Sequence, residues 1–269
     1  MAELRKVTNG DITYFVSNQL LAYPKLRHAF FTRTGGVSEG IFASLNFRFT
    51  GGDDHDRVVR NYTIAAEAIG VDPTHIVRTT QKHTDNIRVI TEQEVFTGTI
   101  AEEAYDALIT NVPGVTLTGF FADCQLIFFY DFKQKVCAVV HSGWRGVQNQ
   151  IARKTLERME QQFGCRPCDV IAVISPSICR RCFETDNDVP QALFSVYGDV
   201  IQDYLYKEGD KWHVDLKNIT YSNLLRCGIL PFNIDISNLC TKCGDESLFW
   251  SHRRQGNARG VHGGMIGLL

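Results

Sequence analysis

The 269-residue chain contains no run of about 18 apolar residues, so no segment reads as a membrane-spanning helix. Its opening stretch, MAELRKVTNGDITYF, lacks the apolar core of a secretory leader. An excess of charge of one sign is also missing. Lys and Arg total 28 against 30 Asp and Glu, a net charge of −2, so no basic surplus points to nucleic acid and no acidic block to a solvating tail. There is no Gly-x-x-x-x-Gly-Lys-Ser/Thr and no Gly-x-Gly-x-x-Gly, which sets aside the common phosphate-cradling loops. No His-x-Glu occurs, and Pro167-Cys168 is not followed by a second Cys at the required spacing, so the zinc deaminase signature is absent. Low-complexity segments, long linkers and fixed-period repeats are missing as well. The expectation is a cytoplasmic protein with no membrane or nucleic-acid partner. Its nine cysteines then need an explanation other than disulfides, because cytosolic thiols stay reduced and an odd count cannot pair completely.

What is present is ordinary globular composition, 44% hydrophobic and 22% charged, in a chain long enough to bury a core. Residues 11–16 alternate and read as a strand, and 28–33 as a second that runs into Thr-Gly-Gly. The segments IVRTTQ, IRVIT, ALIT, VTLTGFF, KVCAVVH, VIAVIS (170–175), IDIS, SLFWS and MIGLL are short and rich in β-branched or aromatic residues, and read as strands. Helical spacing of apolar residues predicts helices over 56–69, stopped by Gly70, and over 147–163, stopped by Gly164. Further helices are expected over 186–197 and 217–227, with Asp186 and Asp215 near their starts. The interleaving predicts an α/β fold with a mixed β-sheet core and flanking helices, in one domain over residues 1–269.

Three segments carry clustered reactive groups: Gln81-Lys82-His83-Thr84, Ala122-Asp123-Cys124-Gln125 and His141-Ser142-Gly143-Trp144-Arg145-Gly146. The second and third follow strands, where α/β proteins place their sites. One thiolate and two imidazoles suit zinc, and three protein ligands leave a fourth position for water or substrate. The spacing alone leaves open a buried Cys with two unrelated His. Three Cys-x-x-Cys pairs compete as metal ligands: Cys165/Cys168, Cys179/Cys182 and Cys240/Cys243. Two such pairs could form a structural Cys₄ site, and the first two flank the strand VIAVIS at a spacing close to that of a zinc ribbon. Against this, Cys137 and Cys227 read as core residues and several of the others as free thiols near the surface.

An ordered set of motifs covers almost the whole chain: Thr32-Arg33-Thr34-Gly35-Gly36-Val37-Ser38, Ser44-Leu45-Asn46, Gln81-Lys82-His83, Asp106-Ala107-Leu108-Ile109-Thr110, Ala122-Asp123-Cys124, His141-Ser142-Gly143-Trp144-Arg145-Gly146, Ser175-Pro176-Ser177-Ile178, Phe183-Glu184, Cys240-Thr241 and Ser251-His252-Arg253-Arg254. In this order they resemble the multicopper polyphenol oxidoreductase (laccase-domain) family, some members of which are described as purine nucleoside phosphorylases. The resemblance implies metal ligands at His83, Cys124 and His141. Departures fall at Thr84, Gln125 and Ser175, where the family more often has Gly, Pro and Gly, and bear on loop shape and substrate preference.

The resemblance further implies a zinc-dependent phosphorylase that converts adenosine, inosine and methylthioadenosine to free base and a ribose 1-phosphate type product, with adenosine deamination as a second activity. Catalytic roles would fall on Arg145, Asp123 and Cys124: Arg145 to hold phosphate, Asp123 to orient a histidine or shuttle a proton. Asn46, Arg33, Arg60 and Arg259 are the candidates for substrate binding. For Arg60 the alternative of a surface ion pair is the stronger, and for Asn46 a turn-closing role competes. The family label also carries two alternatives, polyphenol oxidation and a metal-bearing module in cell-wall precursor quality control. A multicopper oxidase needs roughly ten histidines; this chain has eight and no His-x-His, so copper is expected only as an in vitro occupant of a zinc site. The expected partners are purine nucleosides and phosphate, and monomer and homodimer both stay open.

Overall fold

The strand Gln125–Asp131 is buried at every position, and its two faces enter different apolar layers. Leu126, Phe128 and Tyr130 pack into one layer, Ile127 and Phe129 into another. The neighbouring strand Val136–Ser142 divides the same way, Cys137 and Val139 against Val136, Ala138 and Val140. Strands covered on both faces read as continuous apolar runs, which is how they stand in the sequence. The computed structural model describes residues 3–94, 96, 98 and 102–269.

Two six-stranded mixed sheets stack face to face. The first runs, from edge to edge, Arg5–Asn9, Ile12–Val16, Leu26–Phe31, His262–Leu268, Thr116–Phe121 and Ile76–Arg78. The second runs Ile234–Ile236, Val170–Ile174, Gln125–Asp131, Val136–Ser142, Ala107–Thr110 and Ile87–Ile90. Pairing is antiparallel except where the edge strands Ile76–Arg78, Ile87–Ile90 and Ile234–Ile236 join. Between the sheets lies a layer that includes Phe30, Leu117, Phe128 and Ile266. Helix His55–Ile69 covers the outer face of the first sheet, and helices Ile151–Phe163 and Leu216–Arg226 that of the second. A small third sheet, Glu184–Thr185, Lys211–Val214 and Leu205–Glu208, packs with helix Asp188–Tyr197 on its own cluster. Among the described residues no helix is long and apolar enough to cross a membrane.

The α/β class with a mixed core is as expected, but the strands sort into stacked sheets rather than one. The central strand Gln125–Asp131 and the hairpin Leu205–Glu208/Lys211–Val214 carry no sequence expectation. The helix expected over 147–163 is two, Trp144–Gln148 and Ile151–Phe163, with Gln150 left-handed at φ 57° between them. Val147 packs on the small sheet's cluster and Ile151 on the second sheet, two directions a straight helix could not serve. Asp215 caps its helix by accepting from Asn218 N, whereas Asp186 accepts from Lys211 Nζ instead. SLFWS is not a strand: Trp250 N donates to the His262 ring and Trp250 Nε1 to Leu45 O, so side chains take the place of a ladder.

The sheets pack without spare room around Leu126. A methyl on Gly264 would lie 2.3 Å from its Cδ2, and one on Gly119 2.6 Å from its Cδ1. Gly264→Ala should therefore lower stability by about 1–3 kcal/mol through overpacking, read as a lower urea midpoint at unchanged m-value.

Two buried histidines add a pH dependence. His28 Nε2 accepts from Ser17 N at 2.8 Å, and His262 Nε2 from Trp250 N at 2.7 Å, so neither nitrogen can take a proton without losing that bond. Burial pushes both down to about 3 from the ordinary 6.5. Their neutral forms stabilise the fold fully above pH 6.5, and that contribution is lost as pH falls toward 3, because the unfolded chain binds the protons. Each should cost about 1.4 kcal/mol per pH unit across that window. Urea titrations at stepped pH check this; a stability flat between pH 6.5 and 4.5 would contradict it.

Candidate metal centre

Strand register brings the donors together. In the antiparallel pair of the second sheet Leu126 lies opposite His141, two residues from Cys124. On the other side of that strand Val140 pairs with Ala107, and His141 N donates to Asp106 O. His141 shares its strand face with Cys137 and Val139, so it points into the layer between the sheets at the layer's end. Cys124 and His83 lie on connections that cross from the first sheet to the second, 122–124 after Thr116–Phe121 and 79–86 after Ile76–Arg78. Both crossings contain a non-glycine residue in the left-handed region, Asp123 at φ 85° and His83 at φ 58°. Such residues are uncommon and need surrounding structure to hold them.

The ligand atoms of His83, Cys124 and His141 all lie within 4.8 Å of one another. The two imidazole rings stand 4.9 Å apart at 63°. Gly143 leaves the space they need: a Cβ there would lie 2.9 Å from both Cys124 Sγ and His83 Nδ1. The donor set is soft sulfur with two imidazoles, three ligands with room for a fourth, which fits a zinc-type ion in an open site.

Asp106 organises the trio, and sequence reasoning had placed it only inside a motif. His141 Nδ1–H donates to its Oδ1 at 2.7 Å, which leaves Nε2 free to ligate. The same carboxylate accepts from the backbone N–H of Lys82, His83 and Thr84 and from Thr84 Oγ1, fixing the His83 loop. Burial would raise the Asp106 pKa, but the His141 and Thr84 hydrogen bonds hold it below the usual carboxylate range. Burial would lower His141, yet the Cys124 sulfur and Asp106 outweigh it and lift it to about 9. His83 is lowered, by burial first and then by His141. A metal therefore competes with a proton for His141.

Asp123 serves a different purpose from Asp106. Its carboxylate accepts from Thr241 Oγ1 (2.6 Å), Ser251 Oγ (3.0 Å) and Arg253 N (2.6 Å), and among the described residues no histidine hydrogen-bonds it. Of the roles expected for it, orienting a histidine belongs to Asp106, while Asp123 pins the Cys124 crossing to the C-terminal loops.

Two hollows meet at the trio, one of about 480 Å³ and one of about 390 Å³, and share His83, Ala122, Cys124 and Arg259. The larger is edged by Phe49 and Phe120 and by Arg48, Arg78 and Lys82. The smaller holds Arg145, His252 and Arg253. Arg145 lies over the Trp144 ring, 4.2 Å from its centre. Arg259 is largely buried, and burial first, then neighbouring Arg48, disfavours its charge, a setting in which an anion would be held firmly.

The other expected binders lie elsewhere. Arg33 donates to the Ala43 and Glu246 carbonyls and stacks on Trp250, and it lines neither hollow. Asn46 spends its amide on Arg48 O, Asp53, Arg48 N and Val261 N, a turn-closing role. Arg60 is half-exposed on helix His55–Ile69 with Glu67 3.9 Å away, a surface pair. The composition of their segments offered no signal to separate them from Arg259; Arg48 and Arg78 went unnoticed for the same reason, and His252 stood only inside a motif.

Fold and site together define a mixed α/β protein with a His₂Cys ligand cluster at the seam of two sheets. The sequence profile of the family described as multi-copper polyphenol oxidoreductase laccase matches residues 27–269. The chain belongs to that family. It is 34% identical over 242 residues to a purine nucleoside phosphorylase of Bacteroides thetaiotaomicron, covering 88% of this chain and 89% of that protein. It is 31% identical over 234 residues to Adenosine deaminase RL5 of an unknown prokaryotic organism, covering 84% and 88%. The crystal structure of the Bacillus licheniformis hypothetical protein YfiH superposes with a TM-score of 0.91 at 28% identity, covering 99% of both chains.

Asp106→Asn keeps the shape but weakens the hold on the His141 tautomer. It should lower zinc affinity about 10- to 100-fold, measured by competition with a chromophoric chelator.

Proposed function

We propose that this chain is a cytoplasmic purine nucleoside phosphorylase with adenosine deamination as a second activity, and that His83, Cys124 and His141 hold one zinc ion. The observation that carries the reading is the junction of two cation-lined hollows at the ligand trio. Phosphorolysis needs an anion held on one side of a nucleoside's anomeric carbon while the base departs on the other. Arg145 and Arg259 hold the phosphate by charge-assisted hydrogen bonds. The phosphate oxygen forms the new bond to the anomeric carbon, the glycosidic bond breaks, and the base leaves with its electron pair and takes a proton. Phe49 and Phe120 line the larger hollow with the Arg78 guanidinium 4.8 and 4.9 Å from their ring centres, an apolar and cationic wall against which a purine can pack. When bound, the ion supplies positive charge beside the anion and lowers the pKa of a coordinated water toward about 7. Asp106 keeps His141 in the tautomer that can ligate. In deamination water adds at purine C6 and ammonia leaves.

Names among the relatives support both activities, one for each. The oxidase reading finds no support in ligand placement. Among the described residues only one potential metal cluster contains histidine, the trio itself, whereas a trinuclear copper site needs several more.

Incubation with adenosine, with and without phosphate, separates the outcomes by product chromatography. Adenine and ribose 1-phosphate should form only with phosphate, and inosine should form without it. His141→Ala should lose both the zinc held by His83, Cys124 and His141 and phosphorolysis, at an unchanged circular dichroism spectrum; phosphorolysis retained with that site empty would overturn the mechanism.

A further inference from the structure

The chain holds a second constellation of metal-binding atoms, away from histidine altogether. The sulfurs of Cys179, Cys182, Cys240 and Cys243 all lie within 4.8 Å of one another, although the two pairs are separated by the small sheet and two helices in sequence. We propose that these four cysteines bind a structural zinc ion that ties the loop after strand Val170–Ile174 to the loop after strand Ile234–Ile236.

The geometry is that of four thiolates around one ion. A tetrahedron with Zn–S bonds of about 2.3 Å has sulfurs about 3.8 Å apart, and Cys179 Sγ stands 3.9 Å from Cys243 Sγ. A disulfide would need about 2.05 Å, and all four thiols are free. Both pairs are folded as tight turns: Cys182 N donates to Cys179 O, and Gly244 N to Cys240 O. Gly244 is required in the second turn, since a Cβ there would lie 2.3 Å from Cys240 O. Backbone N–H groups of Cys179 and Cys243 point at Cys240 Sγ, at 3.3 and 3.5 Å, as they would at a charged sulfur.

Positive charge is in place as well. Four thiolates around a divalent ion leave a formal excess of two negative charges. Lys217 is buried beside the cluster and donates to Ser237 O and Leu239 O, with no salt bridge to a carboxylate among the described residues. The Arg181 guanidinium lies close enough to the Cys243 sulfur to interact with it electrostatically. These two cations offset the excess.

Two of the three Cys-x-x-Cys motifs are thereby accounted for, in a combination that sequence spacing had not favoured. Cys165 is instead buried in the apolar layer under helix Ile151–Phe163, and Cys168 is exposed. The tie matters to the first site. Ile178 N donates to Asp123 O, and Thr241, between the second pair, donates to the Asp123 carboxylate next to Cys124.

The test is metal content of the full chain purified under reducing conditions. A His83→Ala/His141→Ala variant, which lacks the first site, should still carry about one equivalent of zinc per chain. Loaded with cobalt(II), it should show the intense near-ultraviolet charge-transfer band of several thiolates. Cys182→Ser/Cys243→Ser should lose that equivalent and melt at lower temperature. Should this cysteine variant fail to fold, the histidine variant decides the matter alone. A histidine variant without metal and with all four thiols open to a thiol reagent would overturn the proposal, as would a Cys179–Cys243 disulfide in freshly isolated protein or iron in place of zinc. None of these readouts depends on phosphorolysis.

Discussion

The face-to-face packing of two sheets, keyed by Leu126 seated against Gly119 and Gly264, is the constraint on which the site depends. It sets the distance between the sheets, and two connections cross that distance from the first sheet to the second at the same end, 79–86 and 122–124. Each of these two carries one candidate metal ligand. The third, His141, comes from the strand paired with the one that Cys124 leads into. A one-residue slip in that pairing would turn His141 away from the inter-sheet layer and put Val140 in its place.

Electrostatics then selects what the seam can hold. A buried carboxylate beside a buried imidazole is a costly arrangement unless both are hydrogen-bonded. Asp106 meets that condition through three backbone N–H groups, the Thr84 hydroxyl and His141. Around this fixed negative centre the guanidinium groups of Arg145, Arg253 and Arg259 leave the hollows positive, an environment for anionic ligands. Asp123 and the cysteine-bearing loops support the same region from behind, so rigidity at the ligand trio is inherited from several separate contacts.

Much of this was legible beforehand. The apolar runs identified most strands, and Gly70 and Gly164 marked helix ends that the structure places in the left-handed region. The donor chemistry of His83, Cys124 and His141, set in ordered motifs, was enough to nominate them. The strand Gln125–Asp131 escaped because its apolar run continues almost directly from Thr116–Phe121, and nothing local says that the Asp123 turn carries the chain to a different sheet. Asp106 escaped for a related reason: its partner is 35 residues away, and a carboxylate before a strand has no spacing that advertises it.

By itself, then, the sequence indicated the α/β class through local periodicity, the family through the order of its motifs, and three candidate metal ligands through side-chain chemistry that each residue carries wherever it lies. Tertiary structure alone decided that the sheets are two, that Arg259 rather than Arg33 lines a hollow with His83 and Cys124, and that Cys179 and Cys182 meet Cys240 and Cys243 rather than Cys165 and Cys168. The physical reason is common to all three. Each is a proximity between segments far apart along the chain, set by strand register and by which face of a sheet an element covers, and neither quantity is a property of any single segment.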